Sequence, residues 1–134
     1  MSVAPSFPDR GASMLTATGL LELGMYREAL DVLDSLPTDM QALNSARRLT
    51  LQAATSLGQW KRVLELAMSL RHGNAADRRE AASGFHALAA ESFKRGRDQD
   101  ARKLIAAAVS SDESALHVIL EDERFPEKFR ANLT

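Results

Sequence analysis

Apolar residues recur along most of the chain at the three- and four-residue spacing of an amphipathic helix, and glycines interrupt this pattern at intervals. Three stretches share one arrangement: LELGMYREALDVLDSLP at 21–37, SLGQWKRVLELAMSL at 56–70 and FKRGRDQDARKLIAAAV at 93–109. In each, a helical pattern stops at a glycine and resumes two residues later. No segment shows the strict alternation of a β-strand, so the pattern predicts an all-helical protein.

The interrupting glycines are regularly spaced. Gly24 and Gly58 lie 34 positions apart, and Gly58 and Gly96 lie 38 apart. The residues two and five positions after each glycine are Tyr26 and Ala29, Trp60 and Val63, and Asp98 and Ala101. A glycine in the left-handed conformation ends a helix without steric cost, and a small residue lets two helices cross closely. We therefore expect a turn between two antiparallel helices at each glycine, with the aromatic residue wedged between them.

The same pattern predicts about seven helices. Their expected ranges are 13–23, 26–36, 38–57, 60–71, a long helix from the HGNAAD segment to residue 95, 98–109 and 111–120. Thr38 with Gln41, and Ser110 with Glu113, have the spacing of a capping box. The NAAD segment at 74–77 is interpreted as another helix start. Phe125 and Phe129 are expected to anchor a tail that folds back on the last helix pair.

This arrangement resembles that of tetratricopeptide repeat (TPR) proteins, whose helix–turn–helix unit has about 34 residues. The segments GMYREAL, GQWKRVL and GRDQDAR carry the resemblance, although the third lacks the aromatic residue and the second has Val63 in place of alanine. The resemblance implies antiparallel helix pairs stacked as a short right-handed α-solenoid. It divides the chain into a loose lead-in at 1–12, three divergent repeats at 13–109 and a capping helix with its tail at 110–134. Other α-solenoids remain an alternative.

The composition limits the chemistry available. Apolar residues make up 45% of the 134 residues, aromatic residues only 5%, and there is no cysteine, which excludes disulfides and thiolate sites. No apolar run is long enough to span a membrane, and no signal peptide is evident at the N-terminus, so we expect a cytoplasmic protein without membrane insertion. The net charge of −1 conceals acidic ends around a basic middle: residues 1–43 hold two basic and six acidic side chains, and residues 44–72 hold five and one.

No motif for catalysis or cofactor binding is found. The three histidines, His72, His86 and His117, lack metal-ligand spacing, and there is no phosphate-binding loop or nucleophile elbow. We therefore expect no enzymatic activity, metal or cofactor. The basic middle contains many arginines, but only Trp60 offers a base-stacking ring nearby, so nucleic acid binding is not expected.

The TPR resemblance implies that the first helix of each pair lines a concave groove that binds a partner peptide or helix. Transferred to this sequence, the expected groove residues are Thr18, Glu22, Arg48, Gln52, Thr55, His86, Phe93 and Lys94, with Met14, Leu21, Ser56 and Ser83 beside them. Phe93 and Leu21 are equally consistent with core positions. No asparagine occupies the positions of the carboxylate clamp that some family members use. The groove is expected to be mildly positive and to suit an acidic or amphipathic segment.

The sequence thus predicts a non-enzymatic adaptor or scaffold that binds another protein. A small secretion-type chaperone, or a component that self-assembles into a homo-oligomer through its charged ends and exposed solenoid edges, is the alternative within binding functions. A regulatory subunit or an enzyme with an unrecognised site is the alternative of another class.

Overall fold

A computed structural model of the chain describes the backbone of residues 10–133 and the side chains of residues 13–133. These residues form nine helices and no strand: α1 (Arg10–Glu22), α2 (Tyr26–Asp34), α3 (Thr38–Gln41), α4 (Asn44–Ser56), α5 (Trp60–Leu70), α6 (Ala75–Lys94), α7 (Asp98–Ser111), α8 (Ala115–Leu120) and α9 (Glu127–Ala131). The predicted all-helical class is confirmed. Most of the predicted lead-in at 1–12 lies outside the described residues. None of the described helices has the length and apolar character needed to cross a membrane.

The three glycine turns share one geometry. Gly24, Gly58 and Gly96 have φ values of 75°, 70° and 77°, as predicted for left-handed helix ends. At the first turn, Gly24 N–H donates to Leu21 O and Met25 N–H donates to Leu20 O, which is the hydrogen-bond pair of a Schellman motif. The same pair recurs at the other two glycines. Each turn therefore satisfies the last carbonyls of one helix and starts the next helix two residues later.

The residues that follow each glycine begin the next helix and bury its small position. Tyr26, Trp60 and Asp98 are the first residues of α2, α5 and α7. The small residues Ala29, Val63 and Ala101 are fully buried. Trp60 is half-buried against the main core, the larger hydrophobic cluster, which α4 to α8 form together with Phe125 and Phe129, and its ring lies beside Gly58.

The helices pack in chain order. Each glycine turn joins a pair of contacting helices, which we call a unit: α1 with α2, α4 with α5, and α6 with α7. Between the units, α4 contacts both α1 and α6. Gly84 allows the close approach of α6 to α4, because a Cβ there would lie 3.1 Å from Leu51 Cδ1. The first helices of the three units therefore lie side by side, with α4 in the middle.

The predicted third helix is wrong in one respect, because it is divided into α3 and α4. Pro37, rather than Thr38, occupies the N-cap of α3, and its ring nitrogen has no hydrogen for the reciprocal bond of a capping box. The Gln41 amide instead donates to Asp34 O, the last residue of α2, at 2.9 Å and to Leu36 O, two residues beyond it, at 2.8 Å. The chain then restarts as α4 after Leu43, which is extended.

The predicted capping box at Ser110 and Glu113 is also absent. Helix α7 continues to Ser111, so Ser110 lies within the helix. Asp112 forms the turn, and its Oδ1 accepts hydrogen bonds from the backbone N–H and the hydroxyl of Ser114. By contrast, the helix start predicted at NAAD is confirmed, since Asn74 and Asp77 form a reciprocal capping box at α6.

The C-terminal tail packs on the last helix pair through its aromatic residues. Phe125 is fully buried and Phe129 is nearly so. Their rings stack at 5.4 Å, and Phe93 of α6 meets Phe129 edge-on at 4.8 Å. The opposite end of the molecule differs, because Leu15 in α1 and Leu23, directly after α1, are 74% and 75% exposed. The tail thus covers one end of the helix stack, while two leucines at the other end are open to solvent in the described structure.

Candidate partner-binding groove

A groove runs across α1, α4 and α6. Its first part is a cavity of about 380 Å³ lined by Thr18, Leu21, Glu22, Tyr26, Leu49, Gln52 and Ser56. Its second part is a cavity of about 210 Å³ lined by Leu51, Gln52, Thr55, Ser56, Glu80, Ser83 and Gly84. Gln52 and Ser56 belong to both linings, so the two cavities lie next to each other along α4. We refer to these two linings together as the groove.

Helical spacing explains why α4 contributes to both cavities. Gln52, Thr55 and Ser56 lie three and four residues apart and therefore share one face of the helix. The opposite face carries Ala53 and Ala54, which are fully buried. The alternation of small apolar and polar residues along α4 thus places its polar face in the groove.

The groove hydroxyls of two threonines are hydrogen-bonded within their own helices. Thr18 Oγ1 donates to Met14 O at 2.9 Å, and Thr55 Oγ1 donates to Leu51 O at 2.7 Å. Because each hydroxyl already donates its single proton, it can only accept a hydrogen bond from a ligand. The groove is therefore poor in hydroxyl donors at these two positions.

Gln52 connects α4 to α6 across the groove. Its Nε2 donates to Glu80 Oε1 at 2.6 Å. Burial raises the pKa of Glu80, and the Gln52 hydrogen bond and the charges of Arg48 and Arg79 only partly oppose this rise. Glu80 is therefore a partly desolvated carboxylate that gains from a nearby positive charge.

Arg48, which the sequence predicted as a groove cation, is held in an ion pair between α4 and α6. It donates to Asp77 Oδ1, and its side chain is 26% exposed while that of Asp77 is 2% exposed. Asn44 Nδ2 donates to the other oxygen of Asp77 at 3.0 Å, and the backbone N–H of Asn74 also donates to it at 3.0 Å. Arg48 does not line either cavity.

The pKa of Asp77 reflects this network. Burial on its own would raise the pKa, but hydrogen bonds from Arg48, Asn74 and Asn44 outweigh it and lower the pKa below the ordinary value. Gly73 is required beside this carboxylate, because a Cβ there would lie 2.2 Å from Asp77 Oδ2. The network is therefore a structural joint between α4 and α6.

Three further predicted groove residues lie elsewhere. His86 Nε2 lies 2.6 Å from Asp122 Oδ2, and its ring stacks on Phe125 at 6.0 Å. Phe93 packs against the tail and the main core, as its alternative reading predicted. Lys94 is exposed at the end of α6 and lines neither cavity. Of the eight predicted residues, the groove brings together Thr18, Glu22, Gln52 and Thr55.

Asp122 fixes the tail to α6. Burial opposes its ionisation, but hydrogen bonds from the Arg124 side chain and backbone, and from His86, lower its pKa to about 2. The Arg124 Nη2 lies 2.7 Å from Asp122 Oδ2. His86 is therefore a tail-docking residue, and its sequence position alone offered no sign of a partner 36 residues away.

Many basic side chains are occupied by intramolecular contacts. Arg62 pairs with Asp34, Arg95 pairs with Glu91 at 3.0 Å, and the Arg102 guanidinium lies 4.4 Å above the Phe129 ring centre. Across the described part of the chain, no group of histidine and acidic residues is arranged to hold a metal ion.

A separate depression of about 370 Å³ lies between the start of α6 and the end of α7. Its lining includes Arg78 and Arg79 together with Asp112 and Glu113. Because cationic and anionic residues are equally represented there, this depression does not favour a ligand of either charge.

Two important residues were missed at the sequence level. Glu80 lies three residues before Ser83 and so shares its helix face, and this spacing was the available signal. Asp77 was recognised only as part of a helix start, although its carboxylate also accepts a hydrogen bond from Arg48. Nothing local in the sequence indicates that second role, because Arg48 is 29 positions away.

Comparisons with models of known protein families, with curated proteins and with solved structures find no significant match to this chain.

Proposed function

We propose that this protein is a non-enzymatic interaction module that binds a segment of another protein in the groove. The observation that carries this proposal is the adjacency of the two cavities across α1, α4 and α6, because a surface that spans three helices accommodates an extended or helical segment. Its lining mixes apolar side chains, such as Leu21 and Leu49, with polar ones, such as Gln52 and Ser56.

We also interpret the architecture as a short right-handed α-solenoid of the TPR type. Three features support this reading: the Schellman turns at Gly24, Gly58 and Gly96, the buried Ala29, Val63 and Ala101, and the side-by-side packing of the first helices. The proposed adaptor function rests on the groove and not on this family assignment, since a fold does not determine a function.

The test uses a substitution that fills the groove. Ser56→Trp places a large side chain at the junction of both cavities, and Ser69→Trp makes the same change at an exposed position of α5 outside them. Proteins captured from a lysate of the source organism by the wild type and by Ser69→Trp, but not by Ser56→Trp, would support groove binding. Equal capture by all three would contradict it. Circular dichroism of each variant verifies that the helices are retained.

Self-association is a second candidate function, and the exposed leucines at α1 and its turn favour it. Leu15 lies in α1 and Leu23 lies in the turn directly after it, and both side chains are largely exposed. Exposed apolar patches are typical of contact surfaces. Light scattering of the wild type and of Leu15→Glu/Leu23→Glu tests this alternative, because an oligomer formed through α1 would dissociate in the double variant.

A further inference from the structure

The charged side chains that line the groove are both acidic. Glu22 lies at the end of α1 in the first cavity, and Glu80 lies on α6 in the second. The sequence pattern favoured an acidic or amphipathic partner because Arg48 and Lys94 were expected to line the groove. The ion pair with Asp77 occupies Arg48, and Lys94 lies outside both linings. The charge that a ligand meets in the groove is therefore negative.

We infer that the occupant of the groove is a basic segment of a partner protein, which presents lysine or arginine side chains to Glu22 and Glu80. This inference rests on the proposed function and specifies the chemistry of the partner. Charge complementarity of this kind steers the encounter and selects among partners more than it adds affinity.

The environment of Glu80 strengthens the preference for a cation. Its carboxylate is half-buried and accepts a hydrogen bond from Gln52 through Oε1. The other oxygen of the Glu80 carboxylate can accept further hydrogen bonds. A lysine or arginine N–H of the partner supplies a charge-assisted donor for it. Arg79 influences Glu80 electrostatically, but its side chain is exposed and does not line the cavity.

The apolar part of the lining suits the stems of long basic side chains. Leu21, Tyr26 and Leu49 lie in the same cavity as Glu22. The methylene stem of a lysine or arginine packs on leucine side chains while its charged end reaches a carboxylate, and a guanidinium also stacks favourably on a tyrosine ring. The same lining does not provide a cation for an acidic side chain.

The experiment selects peptides from a randomised display library on the wild-type protein and measures the binding of enriched peptides by fluorescence anisotropy. We expect lysine and arginine to be enriched over aspartate and glutamate. Reversing both groove charges with Glu22→Lys/Glu80→Lys should weaken binding of the enriched peptides about tenfold or more, since exposed and half-buried ion pairs each contribute modestly. Glu28→Lys/Glu123→Lys gives the same net charge at exposed positions outside the groove and should retain most of the binding.

Raising the salt from about 0.1 M to about 1 M shortens the screening length from about 10 Å to about 3 Å and should weaken wild-type binding. Selection of acidic or neutral peptides that Ser56→Trp no longer binds would overturn the basic-segment inference and leave the groove as the binding site. Enrichment of no peptide, or of peptides that bind Ser56→Trp as well as wild type, would overturn the proposed function itself. If the charge-reversed groove variant does not fold, Glu22→Gln/Glu80→Gln provides the same test with a smaller expected loss.

Discussion

Arg48 of α4 and Asp77 of α6 form an ion pair in which the carboxylate is almost completely buried. Asp77 also closes the capping box at the start of α6, so one carboxylate both begins a helix and joins it to its neighbour. Because α4 and α6 form the two sides of the second cavity, this pair helps to set the width of the groove.

Arg48→Met should lower the free energy of unfolding by about 3 kcal/mol near neutral pH, because it leaves a buried carboxylate without its charged partner. Urea unfolding followed by circular dichroism measures the change. Measuring Asp77→Asn alone and combined with Arg48→Met completes a double-mutant cycle. The two losses in the free energy of unfolding should be far from additive. Additive changes would mean that the two side chains do not interact energetically.

The Arg48–Asp77 pair should also respond to acid. The folded-state pKa of Asp77 is lowered, so its stabilisation is present above the unfolded value of about 3.9 and is lost as the pH falls from there through the folded pKa. The stability difference between wild type and Arg48→Met should therefore shrink at acidic pH. Urea titrations at about pH 7 and about pH 3 test this, and an unchanged difference would show that Asp77 does not titrate as the geometry implies.

Asp122→Asn should release the C-terminal tail from α6. The pKa of Asp122 is lowered to about 2, so the stabilisation is present above an unfolded value of about 3.9 and is lost as the pH falls toward 2. At neutral pH we expect a loss of about 1–2 kcal/mol, since hydrogen bonds to a charged group are removed. Limited proteolysis should cleave the tail faster in this variant, whereas Glu123→Gln, at an exposed neighbouring position, should behave as wild type.

Trp60→Ala should lower the free energy of unfolding by about 3 kcal/mol, the lower end of the range for large aromatic truncations, because Trp60 is half-buried rather than fully buried. Thermal unfolding followed by circular dichroism is the measurement. Trp60→Phe retains an aromatic ring and should lose less. A melting temperature unaffected by Trp60→Ala would identify this ring as a surface contact.

Gly24→Ala and Gly19→Ala should change stability in opposite directions. Neither added methyl group would meet another atom within 4 Å, so backbone conformation decides the outcome. Gly24 has a positive φ, where alanine costs about 1–2 kcal/mol. Gly19 lies within α1, where alanine should stabilise by up to about 1 kcal/mol. Denaturant unfolding of the two variants compares them directly, and a gain in stability for both would contradict the assigned turn.

The helix ends show which local signals were sufficient. The helix start predicted at the NAAD segment is confirmed, and Asn74 and Asp77 form a capping box there although Asp77 also accepts hydrogen bonds from Arg48 and Asn44. Thr38 and Gln41 have a similar spacing but form no box. Pro37 occupies the N-cap there, and the Gln41 amide bonds carbonyls at and just beyond the end of α2. A capping box thus forms only where the N-cap residue has a backbone N–H for the reciprocal bond, which Asn74 has and Pro37 lacks.

The sequence by itself determined the helical class, the three glycine turns and the burial of Ala29, Val63 and Ala101. Those features depend on backbone conformation and on contacts between residues close in the chain, where spacing is informative. Glu22 is among the predicted groove residues, but only the tertiary structure decided that Glu80 lines the groove and that Arg48 and Lys94 do not. Arg48 meets Asp77 and His86 meets Asp122 across 29 and 36 positions, and Gln52 meets Glu80 across 28. Such pairings depend on how helices distant in the chain pack together, and they leave Glu22 and Glu80 as the charges that a partner encounters.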